Sequence, residues 1–317
     1  MHKILVSGAN GFVGTALCQA LAQRQLPFVA AVRAAATAQH YAVGELDATT
    51  DWSGALDGCT GVIHLAARVH VMQETAGDAL RAYRAVNVEA TLNLARQARA
   101  AGVRRFVFVS SVKVNGEATP RRPFTGADVP APLDPYGQSK LEAEQALQAF
   151  ARESGMELVI VRPPLVYGPG VRANFQRLMG LAHGGWPLPF GAVHNRRSMV
   201  SLDNLVDLLL LCSVHPAAPG QVFMVSDGQD VSIAELLRML ATAMGKRARL
   251  VPVPAALLGA AAAVLGKSAE AQRLLGSLQV DISHTRQTLG WRPAVGMQES
   301  LNKTVASFLS RRGAPST

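Results

Sequence analysis

The sequence predicts an α/β protein: a doubly wound parallel sheet with a smaller, mostly helical lobe toward the C-terminus. Three observations carry this. Short apolar runs alternate with longer helical patterns through the first half, and their cores (Ile4-Leu5-Val6, Val107-Phe108-Val109, Leu158 to Val161) are continuous rather than alternating. Strands buried on both faces of a parallel sheet read that way. A glycine-rich turn, Gly8 to Gly14, joins the first run to the first helical pattern. After Arg162 the rhythm changes, as Pro163, Pro164, Gly168, Pro169 and Gly170 mark a loop.

In order, strands are expected at Lys3–Ser7, Pro27–Arg33, Val62–Ala66, Phe106–Ser110 and Glu157–Arg162. Helices are expected at Gly14–Gln23, Ala79–Ala101 and Pro135–Glu153. This alternation builds a sheet with right-handed crossovers. Beyond the loop come a helix at Ala173–His183, a Gly/Pro-rich turn at Gly184–Gly191 and a helix from Asp203 to Val214. A strand at Gln221–Val225 and a helix at Ile233–Met244 follow. The apolar tract Ala255–Leu265 is too short for a bilayer, which needs roughly 20 residues. It reads as a core or partner-facing helix, and no stable membrane insertion is expected.

A chain of 317 residues, 49% apolar and 17% charged, can bury a sizeable core. Disorder is expected only near the end, from about Arg311 to Thr317. The formal net charge is +9, but the arginines are scattered or in short pairs such as Arg104-Arg105, and aromatics are only 5%. That favours phosphate-bearing small molecules over nucleic acid, with a solvated basic surface accounting for most of the arginines. Cys18, Cys59 and Cys212 are odd in number and widely spaced. They suggest neither a disulfide framework nor a metal site, and fit a reducing, cytoplasmic setting. No signal peptide is expected ahead of the first strand.

The turn Gly8-Ala9-Asn10-Gly11-Phe12-Val13-Gly14 needs glycine for physical reasons. It is tight, its backbone must approach a pyrophosphate, and its helix must pack closely on the strand. The helix N-terminus then offers free N–H groups to phosphates. Set between strand and helix, the turn predicts a Rossmann-type dinucleotide site, although its GxxGxxG spacing is one residue wider than GxGxxG. Arg33 ends the second strand with no Asp or Glu nearby in sequence. A guanidinium there suits the 2′-phosphate of NADP, so NADP is favoured over NAD; a solvated strand-end arginine is the competing reading. Glu45 and Leu46 follow a third strand, on the adenine side. Leu65, Ala66 and Ala67 close the fourth, where small residues let a dinucleotide lie on the backbone. Val109 and Pro163 complete the expected cofactor set.

Tyr136 and Lys140 open a long helix, and their spacing puts them on one face. A tyrosine, with a pKa of about 10, becomes a useful acid/base only if a cation stabilises its phenolate. Lys140 can supply that charge and bond a nicotinamide ribose. Ser110 and Ser111 end the fifth strand, at the carboxyl edge where open parallel sheets bind ligands. A hydroxyl there could polarise a substrate hydroxyl or carbonyl, and Ser110 reads as a strand-end serine with local hydrogen bonds.

Together these segments resemble the extended short-chain dehydrogenase/reductases, in their nucleotide-sugar epimerase/dehydratase/reductase branch. The likeness runs through Gly8–Gly14, His64–Arg68, Ala85-Val86-Asn87-Val88, Ser110–Gly116, Tyr136–Lys140, Arg162–Gly170, Arg196–Asp207 and Asp281–Pro293, nearly the whole chain. It implies Ser111, Tyr136 and Lys140 as the catalytic group. It also implies a UDP-sugar held by Asn174 and Arg197 at the diphosphate and by Leu188 to Phe190 at the uracil. Asp281 completes the expected substrate set.

The domains expected are a cofactor domain at 1–165 with a return segment at 198–225, and a substrate lobe at 166–197 and 226–317. Two departures bear on the reaction: Leu165 stands where the UDP-hexose epimerases have an asparagine, and Asn115 where they have a tyrosine, with Lys113 two before it. The chain looks most like a bacterial subgroup called UDP-glucose 4-epimerase. Close members reduce UDP-4-keto-6-deoxy-N-acetylhexosamines for surface polysaccharide such as O-antigen. With Arg33, the departures tilt the reading toward an NADPH-consuming reductase. A 4-epimerase with retained NAD and a non-catalytic NADP-binding sensor or scaffold are the alternatives. The resemblance implies a homodimer through the helices 79–101 and 135–153.

Overall fold

The computed structural model describes residues 2–35, 37–69 and 76–313. In chain order the elements are β1 (Ile4–Ser7), α1 (Phe12–Gln23), β2 (Phe28–Val32), β3 (His40–Ala42), α2 (Ser53–Leu56), β4 (Gly61–His64), α3 (Ala76–Arg84), α4 (Ala90–Ala100), β5 (Arg105–Val109), α5 (Pro135–Ser154) and β6 (Glu157–Arg162). The second half adds β7 (Leu165–Tyr167), α6 (Ala173–Gly184), β8 (Met199–Ser201), α7 (Leu202–Val214), β9 (Val222–Met224) and α8 (Ile233–Ala243). It ends with α9 (Ala255–Val264), α10 (Ser268–Leu275), α11 (Ser283–Leu289) and α12 (Met297–Gly313).

Seven strands form one parallel sheet in the order β3-β2-β1-β4-β5-β6-β9. The order reverses on either side of β1, and the crevice at that reversal is where such sheets take ligands. The continuous apolar runs are the central strands: all four residues of β1 and of β4 are buried. One face is covered by a core containing Leu17, Leu205 and Leu209, from α1 and α7. The other is covered by Trp52, Leu94 and Leu147, around α2, α4 and α5. A third core, with Tyr167, Phe175, Met179 and Leu237, belongs to the region after β6 and packs α6, α8 and α12. There β7 and β8 pair as a small separate parallel sheet.

Three expectations change. The helix expected at 79–101 is two helices joined by a π turn at Ala85–Glu89. The extra residue in that turn faces α5 and buries Asn87, as the site below requires. The tail expected to be disordered from about Arg311 is helical as far as Gly313, and its remainder, residues 314–317, lies outside the described set. Ala255–Leu265 is not a core helix, since no residue of α9 is buried. Among the described residues, no helix is long and apolar enough to cross a membrane.

Candidate active site

The glycine turn leaves β1 and enters α1 beneath the carboxyl ends of β1 and β4. Gly8 has φ +69°, and a Cβ there would lie 2.8 Å from the amide nitrogen of Ala66. A Cβ on Gly14 would collide with the carbonyl oxygen of Gly8. Both glycines are therefore required by contact: backbone of the β4 end and of the turn itself already fills the space a side chain would need. No side chain caps α1, whose N-cap is Gly11, so its first N–H groups face the crevice.

A cavity of about 430 Å³ opens there, lined by Gly8, Gly11, Arg33, Glu45, Leu46, Leu65, Ala66 and Ala67. All eight were expected at a dinucleotide. Asn10 and Val86, from segments already singled out in the sequence, line it too, and so does Trp52, which carried no sequence signal. The other expected residues surround it. Phe12 and Val13 pack into neighbouring cores, Gly14 is buried in the first turn of α1, and the carbonyls of Val109 and Pro163 hold Lys140 Nζ and the Val112 amide. The cradle, the free helix N-terminus and the apolar strand ends fit a dinucleotide.

Arg33 is not without a carboxylate in space. Its Nη1 lies 3.8 Å from Glu45 Oε2, and both side chains are largely exposed. The absence of acid near Arg33 holds only along the chain; folding brings one from the loop after β3.

A buried chain of hydrogen bonds holds this floor in place. Ser7 Oγ accepts the amides of Leu65 (3.1 Å) and Ala66 (3.3 Å) and lies 2.6 Å from His64 Nδ1; His64 Nε2 lies 2.8 Å from Thr91 Oγ1. Burial, with Lys140 nearby, pushes His64 down to about 3, so the ring is neutral. With both lone pairs of Ser7 in use, its hydroxyl donates to Nδ1, and Nε2–H donates to Thr91. His64 thus ties β1, β4 and α4 together below the cavity. Sequence reasoning missed it.

Asp134 starts α5, accepting the Gly137 amide at 2.7 Å, with Pro135 in the first turn. Tyr136 follows, half-buried, with its ring 6.1 Å from that of Tyr83 in edge contact. Lys140 is buried one turn on and donates to the Val109 carbonyl at 2.8 Å, its ammonium 4.4 Å above the Phe108 ring. Ser111 hydrogen-bonds Tyr136, and its hydroxyl accepts the Lys113 amide at 3.2 Å. The structure therefore brings Ser111, Tyr136 and Lys140 together at the ends of β5 and α5. Ser110 departs from expectation: its hydroxyl is buried with no hydrogen-bond partner among the described residues.

Burial pushes the Tyr136 phenol above its ordinary value; Asp134 and Tyr83 push the same way, and the Ser111 hydrogen bond opposes them. Burial lowers Lys140 to about 7, and the charge of Glu144 opposes that fall. Three ion pairs missed by sequence reasoning frame the group. Lys113 Nζ bonds both Asp134 and Glu117, joining the Ser111 turn to the start of α5. Arg162 meets Glu144 through Nε (3.0 Å) and Nη2 (2.6 Å), and its Nη1 donates to Asn115 Oδ1 (3.0 Å). Asn115, which replaces a family tyrosine, is thus a partner of a buried arginine. Asn87 donates to Ser139 Oγ and brackets the backbone of Arg68, fixing the π turn against α5.

The Asp134 contact makes a signed expectation. Asp134→Asn keeps a capping side chain and removes a charge that raises Tyr136. The tyrosine-dependent limb of the pH–activity profile should move to lower pH; an unmoved or upward-moved limb would refute the electrostatic role.

Five of the residues expected at the substrate lie in the region after β6. Asn174 is exposed in the first turn of α6. The Leu188 side chain is buried in the third core, and its N–H and carbonyl pair with Arg249 and Val251. Phe190 packs beside that core. Arg197 Nη1 donates to the carbonyls of Arg273 (2.7 Å) and Gly276 (3.0 Å), closing the end of α10. The Asp281 carboxylate accepts the Ser283 amide and starts α11.

The sequence profile described as the NAD dependent epimerase/dehydratase family matches residues 4–226. A Vibrio cholerae protein described as UDP-glucose 4-epimerase is 49% identical over 313 residues, 97% of this chain and 95% of that one. Among solved structures, MoeE5 in complex with UDP-glucose and NAD is 27% identical with a TM-score of 0.75, over 98% of this chain and 100% of that one. A short-chain dehydrogenase/reductase superfamily protein from Agrobacterium tumefaciens with bound NAD is 25% identical with a TM-score of 0.76, covering 98% of each chain.

Proposed function

Because the chain belongs to the NAD-dependent epimerase/dehydratase family of extended short-chain dehydrogenase/reductases, and is an enzyme of it, we propose that it interconverts the C4 epimers of a UDP-sugar with NAD retained in the cavity. The observation that carries this reading is the meeting of Ser111, Tyr136 and Lys140 beside a glycine-cradled crevice. The name of the Vibrio cholerae relative and the ligands of MoeE5 support the UDP-sugar.

In this mechanism the bound dinucleotide supplies the acceptor and donor of hydride at C4. The chain's own groups handle the proton. Tyr136 removes it from the C4 hydroxyl as the 4-keto sugar forms and returns it when the carbonyl is reduced. Ser111 orients that oxygen with a second hydrogen bond. Lys140, anchored on Val109, stabilises the phenolate form and would hold the ribose next to the nicotinamide. Asn174 and Arg197 are proposed at the diphosphate. Arg197 would do so with the donors left over from closing α10. Calorimetric titration with UDP checks the substrate class: if UDP fails to bind while another nucleotide binds, that class is wrong.

Arg33 supports a second reading, an NADPH-dependent reductase of a UDP-4-keto-6-deoxy-N-acetylhexosamine. A charge-assisted bond from its guanidinium to a 2′-phosphate would favour NADPH by about one to two decades. Glu45 counts against it: its carboxylate, 3.8 Å from the guanidinium, would compete with that phosphate for Arg33. The expected result is that NAD copurifies with the protein and UDP-glucose or UDP-GlcNAc exchanges with its galacto isomer without net redox change. Net NADPH consumption with a 4-keto sugar nucleotide, abolished by Arg33→Ala, would overturn the epimerase in favour of the reductase.

A further inference from the structure

A surface helix places its apolar stripe toward the protein and its charges toward water. α9 does not. Its half-buried positions are Ala255, Leu258, Gly259 and Ala262, one face at helical spacing. The opposite face carries Leu257, Ala260, Ala261 and Val264, all exposed. Leu257 is 60% exposed, Val264 88% and the following Leu265 71%. The ten residues include no charge at all. A helix apolar all round belongs in a core, yet here none is buried.

The flanks have the opposite character. Between Glu235 and Glu270 the chain has five basic residues and no acidic one. Lys246, Arg247 and Arg249 precede α9, Lys267 follows it, and all four are exposed. None forms an ion pair with a described residue. The segment entering α9 pairs with the turn after α6 through Leu188, whose backbone bonds Arg249 and Val251. That turn carries Trp186, 75% exposed.

Charge selects the occupant. A second copy docked α9 to α9 would gather eight cationic side chains at one seam. An anionic bilayer accepts the apolar face below its headgroups and the basic flanks among them, and a tryptophan sits well at that level. We propose that α9 and its basic flanks dock this protein peripherally on an anionic lipid surface. The helix lies in the interface; it does not span it.

The test is co-sedimentation of the full chain with vesicles of phosphatidylcholine alone and of equal parts phosphatidylcholine and phosphatidylglycerol. Binding is expected only to the anionic vesicles, and it should weaken with added salt. Leu257→Glu with Val264→Glu should lose roughly tenfold or more in binding. Arg247→Ser with Arg249→Ser, which leaves the helix untouched, should lose about fivefold per charge. Both variants should keep the melting temperature and NAD binding of the parent, so that lost docking is not lost folding. No binding to the anionic vesicles, or equal binding to phosphatidylcholine alone, overturns the proposal. So does a vesicle-free dimer that the glutamate pair dissociates, since a second copy would then cover the helix.

Discussion

Tyr136→Phe should lose about 10²–10⁴-fold in turnover while binding NAD as the parent does. The separation of these effects follows from the surroundings of the ring. Phenylalanine preserves the edge contact with Tyr83 and the first turn of α5 capped by Asp134. It removes only the hydroxyl that Ser111 bonds and that would exchange a proton with the C4 oxygen. Lys140 keeps its bond to Val109 and so its place at the cofactor. Single-turnover assays with saturating nucleotide sugar, alongside calorimetric NAD titration, check both halves. Near-parental turnover would remove Tyr136 from the chemistry; lost NAD binding would make its role structural.

The parts of this site that the sequence displayed are those fixed by local geometry. The glycine turn, the ends of β4 and β5, and the tyrosine and lysine one turn apart each depend on neighbours a few residues away. Five of the eight cavity-lining residues that were expected, Gly8, Gly11, Leu65, Ala66 and Ala67, come from such segments. What stayed hidden depends on partners far along the chain. Lys113 meets Asp134 21 residues on, Arg162 reaches Asn115 across 47, and His64 joins Ser7 across 57. Arg33 shows the cost of reading along the chain alone: a strand-end arginine suggested NADP, and folding set Glu45 beside it. The π turn was invisible because one extra helical residue hardly disturbs an apolar period. For α9, apolar composition gives the same pattern for a core helix and for one with an open face. On the substrate side, the bonds of Leu188 and Arg197 depend on how the lobe folds back on itself, which the motifs do not encode.

The second large effect is expected on stability. Arg162 and Glu144 form a bidentate pair with side chains 5% and 2% exposed, and Asn115 takes a further guanidinium donor. Buried pairs gain little over a well-packed apolar pair, but leaving one partner alone costs about 3–5 kcal/mol. Glu144→Ala strands the guanidinium between α5 and β6, and should destabilise by about that amount in urea titration. Glu144→Leu with Arg162→Met removes both charges and keeps most of the volume, so its stability should return close to the parent. This double variant also isolates a chemical consequence. The Glu144 charge opposes the fall of Lys140, which burial lowers to about 7. Without it, Lys140 should give up its proton at still lower pH. Catalysis that needs the ammonium should then fail earlier as pH rises, in a protein of restored stability. A double variant as unstable as Glu144→Ala would refute the stranded-charge account, and an unchanged pH profile in a stable double variant would detach Glu144 from Lys140.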